Sequence, residues 1–285
     1  MKVSYDNGSG ELQELFYGKI RCTGIKGLST TIKLSTSDNT FADGSEYIGK
    51  RLEERNIIIN LAYYDYTYED ARDIIYDIFK TDGEGVLILE ERERDPRKIN
   101  CRVSEIEMMR DTCTCQISMV CCNPFFESME GEVFEFGEVE IGDFEFPIEL
   151  PADESFEFAN IDYRQGIDIV NRSNTTIGCI ITLSCKIGDK TNVVITNRTT
   201  GESFKMVSGY TLAADDKIVI DSRHGHKDVM KALLTGDMIS IINYMDWQSD
   251  FITLRPGTNR LFISADGGIS GINAKIEYAD IREWL

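Results

Sequence analysis

Asn197-Arg198-Thr199-Thr200-Gly201-Glu202 and Arg255-Pro256-Gly257-Thr258-Asn259 are the two turns whose reading decides the fold. Residues 193–196 (Val-Val-Ile-Thr) precede the first turn and residues 203–207 (Ser-Phe-Lys-Met-Val) follow it. Both runs are short and β-prone, so the segment reads as an antiparallel hairpin. The second turn leads into residues 260–264 (Arg-Leu-Phe-Ile-Ser). There Leu261 and Ile263 share one face of a strand and Phe262 takes the other. Working outward, residues 166–171, 178–186, 217–221, 237–242, 251–254 and 273–278 give further short strands at regular spacing. Many short strands separated by turn residues predict a β-sandwich.

Toward the amino terminus the chain also reads as strands, at residues 16–22, 30–34 and 57–63. Between the last two, residues 35–54 are rich in Ser, Asp, Gly and charge, and are expected to form a long loop. Such a loop is either an interface element or a surface excursion. Residues 67–80 predict the one helix. Thr67 suits the N-cap, Glu69 and Asp70 suit the positive end of the dipole, and Ala71, Ile74, Ile75, Ile78 and Phe79 fall on one stripe. Strands are expected at 86–91, 99–108 and 112–122. The first two flank a run of both charge signs, Glu91-Arg92-Glu93-Arg94-Asp95-Pro96-Arg97-Lys98. That run is either a solvated hairpin tip or the end of an extended arm.

From residue 127 to residue 161 the composition shifts to Glu, Asp, Phe and Gly, and Phe134, Phe136, Phe144 and Phe146 alternate with acids. These pieces read as strands with one wet face. The boundary falls after Phe126, which gives an amino-terminal β domain over 1–126 with the helix at 67–80, and a carboxy-terminal β-sandwich over 127–285. The fold class is mainly β in two domains.

A chain of 285 residues is long enough for two domains, each with its own core. Its 42% hydrophobic and 28% charged residues are globular values and argue against disorder. The formal net charge of −19 repels phosphate backbones and anionic membranes, so sequence-specific nucleic-acid binding and membrane association are not expected. No run approaches the roughly 20 apolar residues of a membrane helix, and Met1 to Gly8 has no signal-peptide pattern. The eight cysteines fit reduced, buried thiols of a protein made in the cytoplasm.

The chain offers no catalytic equipment. It has no Gly-x-Ser-x-Gly elbow, no phosphate-binding Gly-x-x-x-x-Gly-Lys loop and no His-Glu-x-x-His. No catalytic residue, cofactor or metal site is assigned. The two histidines, His224 and His226, flank Gly225, which predicts a hairpin tip rather than a ligand set. Cys113 and Cys115 are expected to share a strand face, at a spacing that is not Cys-x-x-Cys. The acids of 127–161 lack an Asp-x-Asp-x-Asp-Gly loop for calcium. Tyr210, Tyr244 and Trp247 have the composition of an aromatic sugar platform, although Trp247 suits a core or an interface equally.

Asn197, Thr199, Thr200, Gly201 and Glu202, then residues 218–221, then Phe251, Leu254, Pro256, Gly257 and Asn259, resemble in type and order the carboxy-terminal domain of phage distal tail proteins. The helix, the following hairpin and the ending Asn123-Pro124-Phe125-Phe126 are similar to that family's first domain. The resemblance implies an amino-terminal ring-forming domain, similar to a β-sandwich or split barrel with a long hairpin, and a galectin-like carboxy-terminal sandwich. It also implies a structural virion protein and not an enzyme. Six copies would form a baseplate ring at the virion tail tip, joining the tail tube protein to the tail-tip hub protein. A receptor-binding protein is a further partner, and the chain would be made in the host bacterial cytoplasm. The family ties its ring with a hairpin extension, so Arg92, Arg94, Asp95, Arg97 and Lys98 become the candidate subunit-interface residues. The alternative reading is a carbohydrate-binding β-sandwich module.

Overall fold

The computed structural model describes residues 1–8, 12–38, 43–142, 159–233 and 235–285. It is mainly β, with α1 the one α-helix among the described residues, and it divides into two units. Residues 1–129 and 281–285 make the first, and residues 130–280 make the second.

In chain order the first unit contains β1 (Lys2–Asp6), β2 (Leu12–Glu14), β3 (Ile20–Lys26), β4 (Ile32–Asp38), β5 (Ser45–Leu52) and β6 (Arg55–Tyr63). Then come α1 (Tyr68–Ile78), β7 (Gly85–Glu90), β8 (Arg97–Met109), β9 (Thr114–Cys121) and β10 (Phe126–Ser128). The main sheet runs β2-β1-β7-β8-β9-β6-β3. Strict alternation in β6 and β7 buries Ile57, Ile59, Leu61, Leu87 and Leu89 on one face. The helix covers that face through Ala71, Ile75 and Phe79. Its start is fixed as the sequence predicts. The Thr67 hydroxyl accepts from the Asp70 amide at 3.2 Å and donates to the Asp70 carboxylate at 2.8 Å, so cap and first turn satisfy each other.

Phe79 stacks on Tyr5 with ring centroids 4.7 Å apart. The Tyr5 ring lies where a Cβ on Gly85 would fall, so the tight start of β7 requires glycine. Burial pushes the Tyr5 hydroxyl up to about 12.

Arg55 organises the other end of this unit. Its buried guanidinium donates to the carbonyls of Leu28 (2.6 Å), Ser29 (3.1 Å), Pro124 (3.1 Å) and Glu283 (2.7 Å). It also lies 4.7 Å from the centroid of the Phe126 ring. Burial lowers its pKa, yet a guanidinium stays charged, and a buried charge of this kind is tolerable because backbone oxygens surround it. The same residue therefore holds the chain's last segment, where Ile281 and Arg282 pair with β10.

The second unit has two principal sheets. The seven-stranded one runs, from edge to edge, Ala159–Arg164, Glu132–Gly142, Ile272–Tyr278, Ile180–Cys185, Lys217–Asp221, Asp228–Ala232 and Met238–Ser240. The four-stranded one runs Gly166–Asn171, Gly257–Ser264, Val194–Asn197 and Ser203–Lys205. The inner strands of each sheet bury every second residue. Ile181, Leu183, Ile218, Ile220, Ala274 and Ile276 come from the first, and Ile169, Ile195, Phe204, Leu261 and Ile263 from the second, as expected of sheets with one wet face. Phe136 is buried and Phe134 stacks near Tyr278. Phe144 and Phe146 lie outside the described residues.

Three sequence expectations are corrected. Of the loop expected over 35–54, residues 35–38 and 45–52 are strand instead, because β4 and β5 pair as a two-stranded ribbon. The strand expected over 16–22 begins only at Ile20, after a run of bends. Cys113 does not share a strand face with Cys115, because it occupies the turn between β8 and β9 with a positive φ of 52° and is exposed, whereas Cys115 is buried.

Candidate assembly surfaces

The motif residues of the second unit form a polar lock. Asn197 and Asn259 are each fully buried. The Asn197 side chain donates to the Thr253 carbonyl (2.7 Å) and to Asn259 Oδ1 (3.3 Å), and accepts from the Thr199 amide (3.0 Å). Asn259 Nδ2 donates to the carbonyls of Arg255 (2.7 Å) and Gly257 (3.0 Å), while its Oδ1 accepts from the Arg255 amide (2.9 Å). The Glu202 carboxylate closes the figure by accepting from the Thr253 amide (2.6 Å), the Thr253 hydroxyl (2.7 Å) and the Thr200 hydroxyl (3.0 Å). These bonds tie the turn at 197–202 to the segment 253–259. Gly201 and Gly257 supply the positive φ values, 82° and 90°, that the two turns need. The lock has all its partners inside the unit, so it specifies the fold and offers nothing to a substrate.

The ribbon of β4 and β5 is the opposite case. It is a sheet of two strands that hydrogen-bonds to no other sheet among the described residues. All seven residues of β4 are exposed. Its register pairs Ile32 with Leu52, Leu34 with Lys50 and Thr36 with Tyr47, and directly opposed residues of an antiparallel pair share a face. One face therefore carries Ile32, Leu34, Tyr47 and Leu52, together with Thr36 and Lys50. The other carries Lys33, Arg51, Ser35 and Glu46. Ile32, Leu34 and Tyr47 are 44%, 61% and 59% exposed. A bulge after Ser35 leaves Ile48 without a cross-strand partner, and Ile48 is also exposed. An isolated two-stranded hairpin is marginally stable in water, and this one presents its apolar side to solvent.

Within the charged run, residues 91–96 are a short turn between β7 and β8, not an extended arm, and Arg97 and Lys98 begin β8. Of the five candidate interface residues, Arg92, Arg94 and Asp95 are exposed, Lys98 is half-buried and Arg97 is buried. Arg94 is engaged within its own unit. It donates to the Leu285 carbonyl at 2.8 Å and meets the Glu91 carboxylate at 3.3 Å. Glu91, Arg94, Asp95, Arg97, Trp284 and Leu285 are among the residues lining an open, polar depression of about 340 Å³.

The remaining candidates lie in the second unit. His224 and His226 sit on the hairpin tip expected for them, with Gly225 at φ 79°. Beside them, burial pushes the Asp221 carboxyl up, but the Arg223 guanidinium, 2.7 and 3.0 Å away, and the Arg223 amide more than offset this and hold it below the usual carboxylate range. Among the described residues no group of three His, Cys, Asp or Glu side chains is placed to hold a metal. Tyr210 and Tyr244 form a tilted ring pair at 5.6 Å.

Residues 173–280 match the family model described as siphovirus-type tail component, C-terminal domain. This span contains the motif residues that suggested distal tail proteins. The distal tail protein of phage SPP1, whose crystal structure is described as a paradigm of the hub adsorption apparatus in phages infecting Gram-positive bacteria, shares the fold with a TM-score of 0.64 at 12% identity over 98% of each chain. A chain of the phage P2 baseplate, in its activated conformation with calcium, gives 0.52 at 10% identity over 97% of each chain. At such identities the structural likeness concerns the fold. No curated protein sequence matches the chain.

Proposed function

From the match of residues 173–280 to the siphovirus-type tail component model, we propose that the chain is a phage distal tail protein, a structural baseplate protein whose copies close into a ring, six to the ring, at the end of the tail tube. The amino-terminal unit forms the ring, and the carboxy-terminal unit is a galectin-like sandwich. Its partners are further copies of itself, the tail tube protein, the tail-tip hub protein and a receptor-binding protein. It is made in the host cytoplasm, works at the virion tail tip and has no enzymatic role.

The observation that carries this reading is the ribbon of β4 and β5. A two-stranded element with Ile32, Leu34 and Tyr47 on one open face is stable when another surface covers that face. Neighbouring copies in a closed ring provide identical surfaces in a fixed orientation. The ribbon thus has the properties of the hairpin extension expected from the family resemblance, at a place in the chain other than residues 91–98. The charged turn keeps a secondary part, in which exposed Arg92 and Asp95 contact the neighbour while Arg94, Arg97 and Lys98 hold the turn's shape.

The test is electron microscopy of the purified full chain, alone and with its tail tube protein. Closed rings of uniform subunit number support the reading. Open filaments, or single particles under both conditions, would refute it.

A further inference from the structure

The ribbon of β4 and β5 pairs with no other strand among the described residues, so its direction is set where it joins the first unit. Its two feet are residues 27–31, ahead of β4, and residues 53–56, behind β5. Three contacts bind the feet to each other. The Glu53 amide donates to the Thr31 carbonyl at 3.1 Å. Arg55 Nη1 donates to the carbonyls of Leu28 (2.6 Å) and Ser29 (3.1 Å). Gly27 lies so close to the Asn56 carbonyl that a Cβ there would overlap it, and its φ of 84° is one that glycine adopts readily.

The feet are in turn fixed to a segment distant in the chain. The Glu283 carbonyl accepts from Arg55 Nη2 and from the Thr30 hydroxyl, each at 2.7 Å, so one oxygen takes a bond from either foot. Glu283 is itself held on both sides. Before it, Ile281 and Arg282 pair with Glu127 and Phe126 of β10. After it, the Leu285 side chain packs against the core of the unit, and its carbonyl accepts from Arg94 at 2.8 Å. Without Glu283 the buried Arg55 guanidinium would lose one of the backbone oxygens that make its charge tolerable.

We propose that residues 281–285 are a strap that fixes the direction of the ribbon, with Arg55 and Thr30 as the positioning residues, and that assembly waits until the strap has docked. The second half of this inference rests on the reading of the ribbon as the assembly surface. The order of synthesis gives the strap its consequence. A chain emerges from its amino terminus, so the ribbon is made early and the strap only after residues 130–280, the second unit, have followed it. Until then the feet lack their common acceptor, and the open apolar face is not held in the orientation that a neighbouring copy would meet. A surface that is not preorganised binds more weakly, because its ordering opposes association.

Hydrogen exchange of the full chain without partners, read by mass spectrometry, tests the strap. Thr30→Val removes the hydroxyl donor at nearly constant volume, and Thr30→Ser retains it. The first is expected to speed exchange over β5 and Glu53 roughly fivefold, the effect of one lost hydrogen bond, while α1 exchanges as in wild type. The second is expected to match wild type throughout. A chain ending at Asp280 is expected to show a larger rise at the same amides, roughly tenfold or more, with α1 changed less. Equal exchange in Thr30→Val and wild type overturns the proposal. So does equal acceleration at α1 and at the feet in the shortened chain, which would make residues 281–285 a general contributor to the unit's stability. Light scattering with the tail tube protein then reads the consequence for assembly, which the shortened chain is expected to lose. If it assembles as wild type does, the strap does not gate assembly and the proposal falls. If wild type itself does not assemble, the ring reading fails, and the exchange result alone decides whether the strap sets the ribbon.

Discussion

The polar lock around Asn197, Glu202 and Asn259 and the ribbon of β4 and β5 use their side chains in opposite ways. In the lock, buried polar groups find every partner within the chain. In the ribbon, apolar side chains stay largely open to solvent, and Leu34 is 61% exposed. One region is complete in a single copy and the other is not. On the proposed reading that contrast separates what makes this chain fold from what makes it assemble, and substitutions in the two regions should therefore fail in different assays.

The largest stability loss is expected at the lock. Asn259→Ala removes four hydrogen bonds and leaves the Asn197 side-chain amide, the Arg255 amide and the Arg255 and Gly257 carbonyls short of partners. The expected destabilisation is about 3 kcal/mol, read by urea unfolding. Glu202→Gln preserves shape but sets an amide against the Thr253 amide and hydroxyl, both donors to the carboxylate. A loss of about 2 kcal/mol is expected. A near-neutral result at either position would break the comparison, since it would mean that the lock is dispensable to the fold.

The Asp221–Arg223 pair gives a smaller effect with a defined pH range. The Asp221 carboxyl is held below its usual value, so its contribution is present above the unfolded pKa, about 3.9. It is lost as pH falls through the lower folded value. Asp221→Asn should cost about 1 kcal/mol at neutral pH and flatten the stability profile below about pH 4. Thermal unfolding across that range checks both statements, and an unchanged acid limb would contradict them.

The smallest stability effect is expected in the ribbon. Replacing exposed Ile32, Leu34 and Tyr47 by serine should leave unfolding within about 0.5 kcal/mol per site. A large loss there would show that the ribbon packs within its own chain and would collapse the contrast.

Much of the fold was legible because local chemistry and burial agree in it. Thr67, Asp70 and the stripe Ala71, Ile75 and Phe79 announce the helix, and the structure buries that stripe. The alternation of Leu261 and Ile263 announces a strand, and both residues are buried. The lock was legible as a motif, but its purpose was not: a sequence shows Asn197 and Asn259 as turn residues and cannot show their 3.3 Å contact. The ribbon was only partly legible for a related reason. Ile32 and Leu34 fall in the strand read at 30–34, but Tyr47 sits among Ser, Asp, Gly and charged residues, and sequence patterning reports burial within one chain, whereas this ribbon's apolar side chains are open in the single copy. The turn at Cys113 was missed because a positive φ at a non-glycine residue leaves no mark in the sequence.

The central claim is that the ribbon's apolar face is the assembly surface, and its most direct test is absolute mass in solution. Light scattering over a concentration series, with tail tube protein present, would compare wild type with the Ile32→Ser/Leu34→Ser/Tyr47→Ser variant. The account predicts that wild type rises to a mass of about six chains, the closed-ring state, while the variant stays monomeric with unchanged thermal unfolding. A variant that assembles as readily as wild type, or a wild type that remains monomeric throughout, would contradict it.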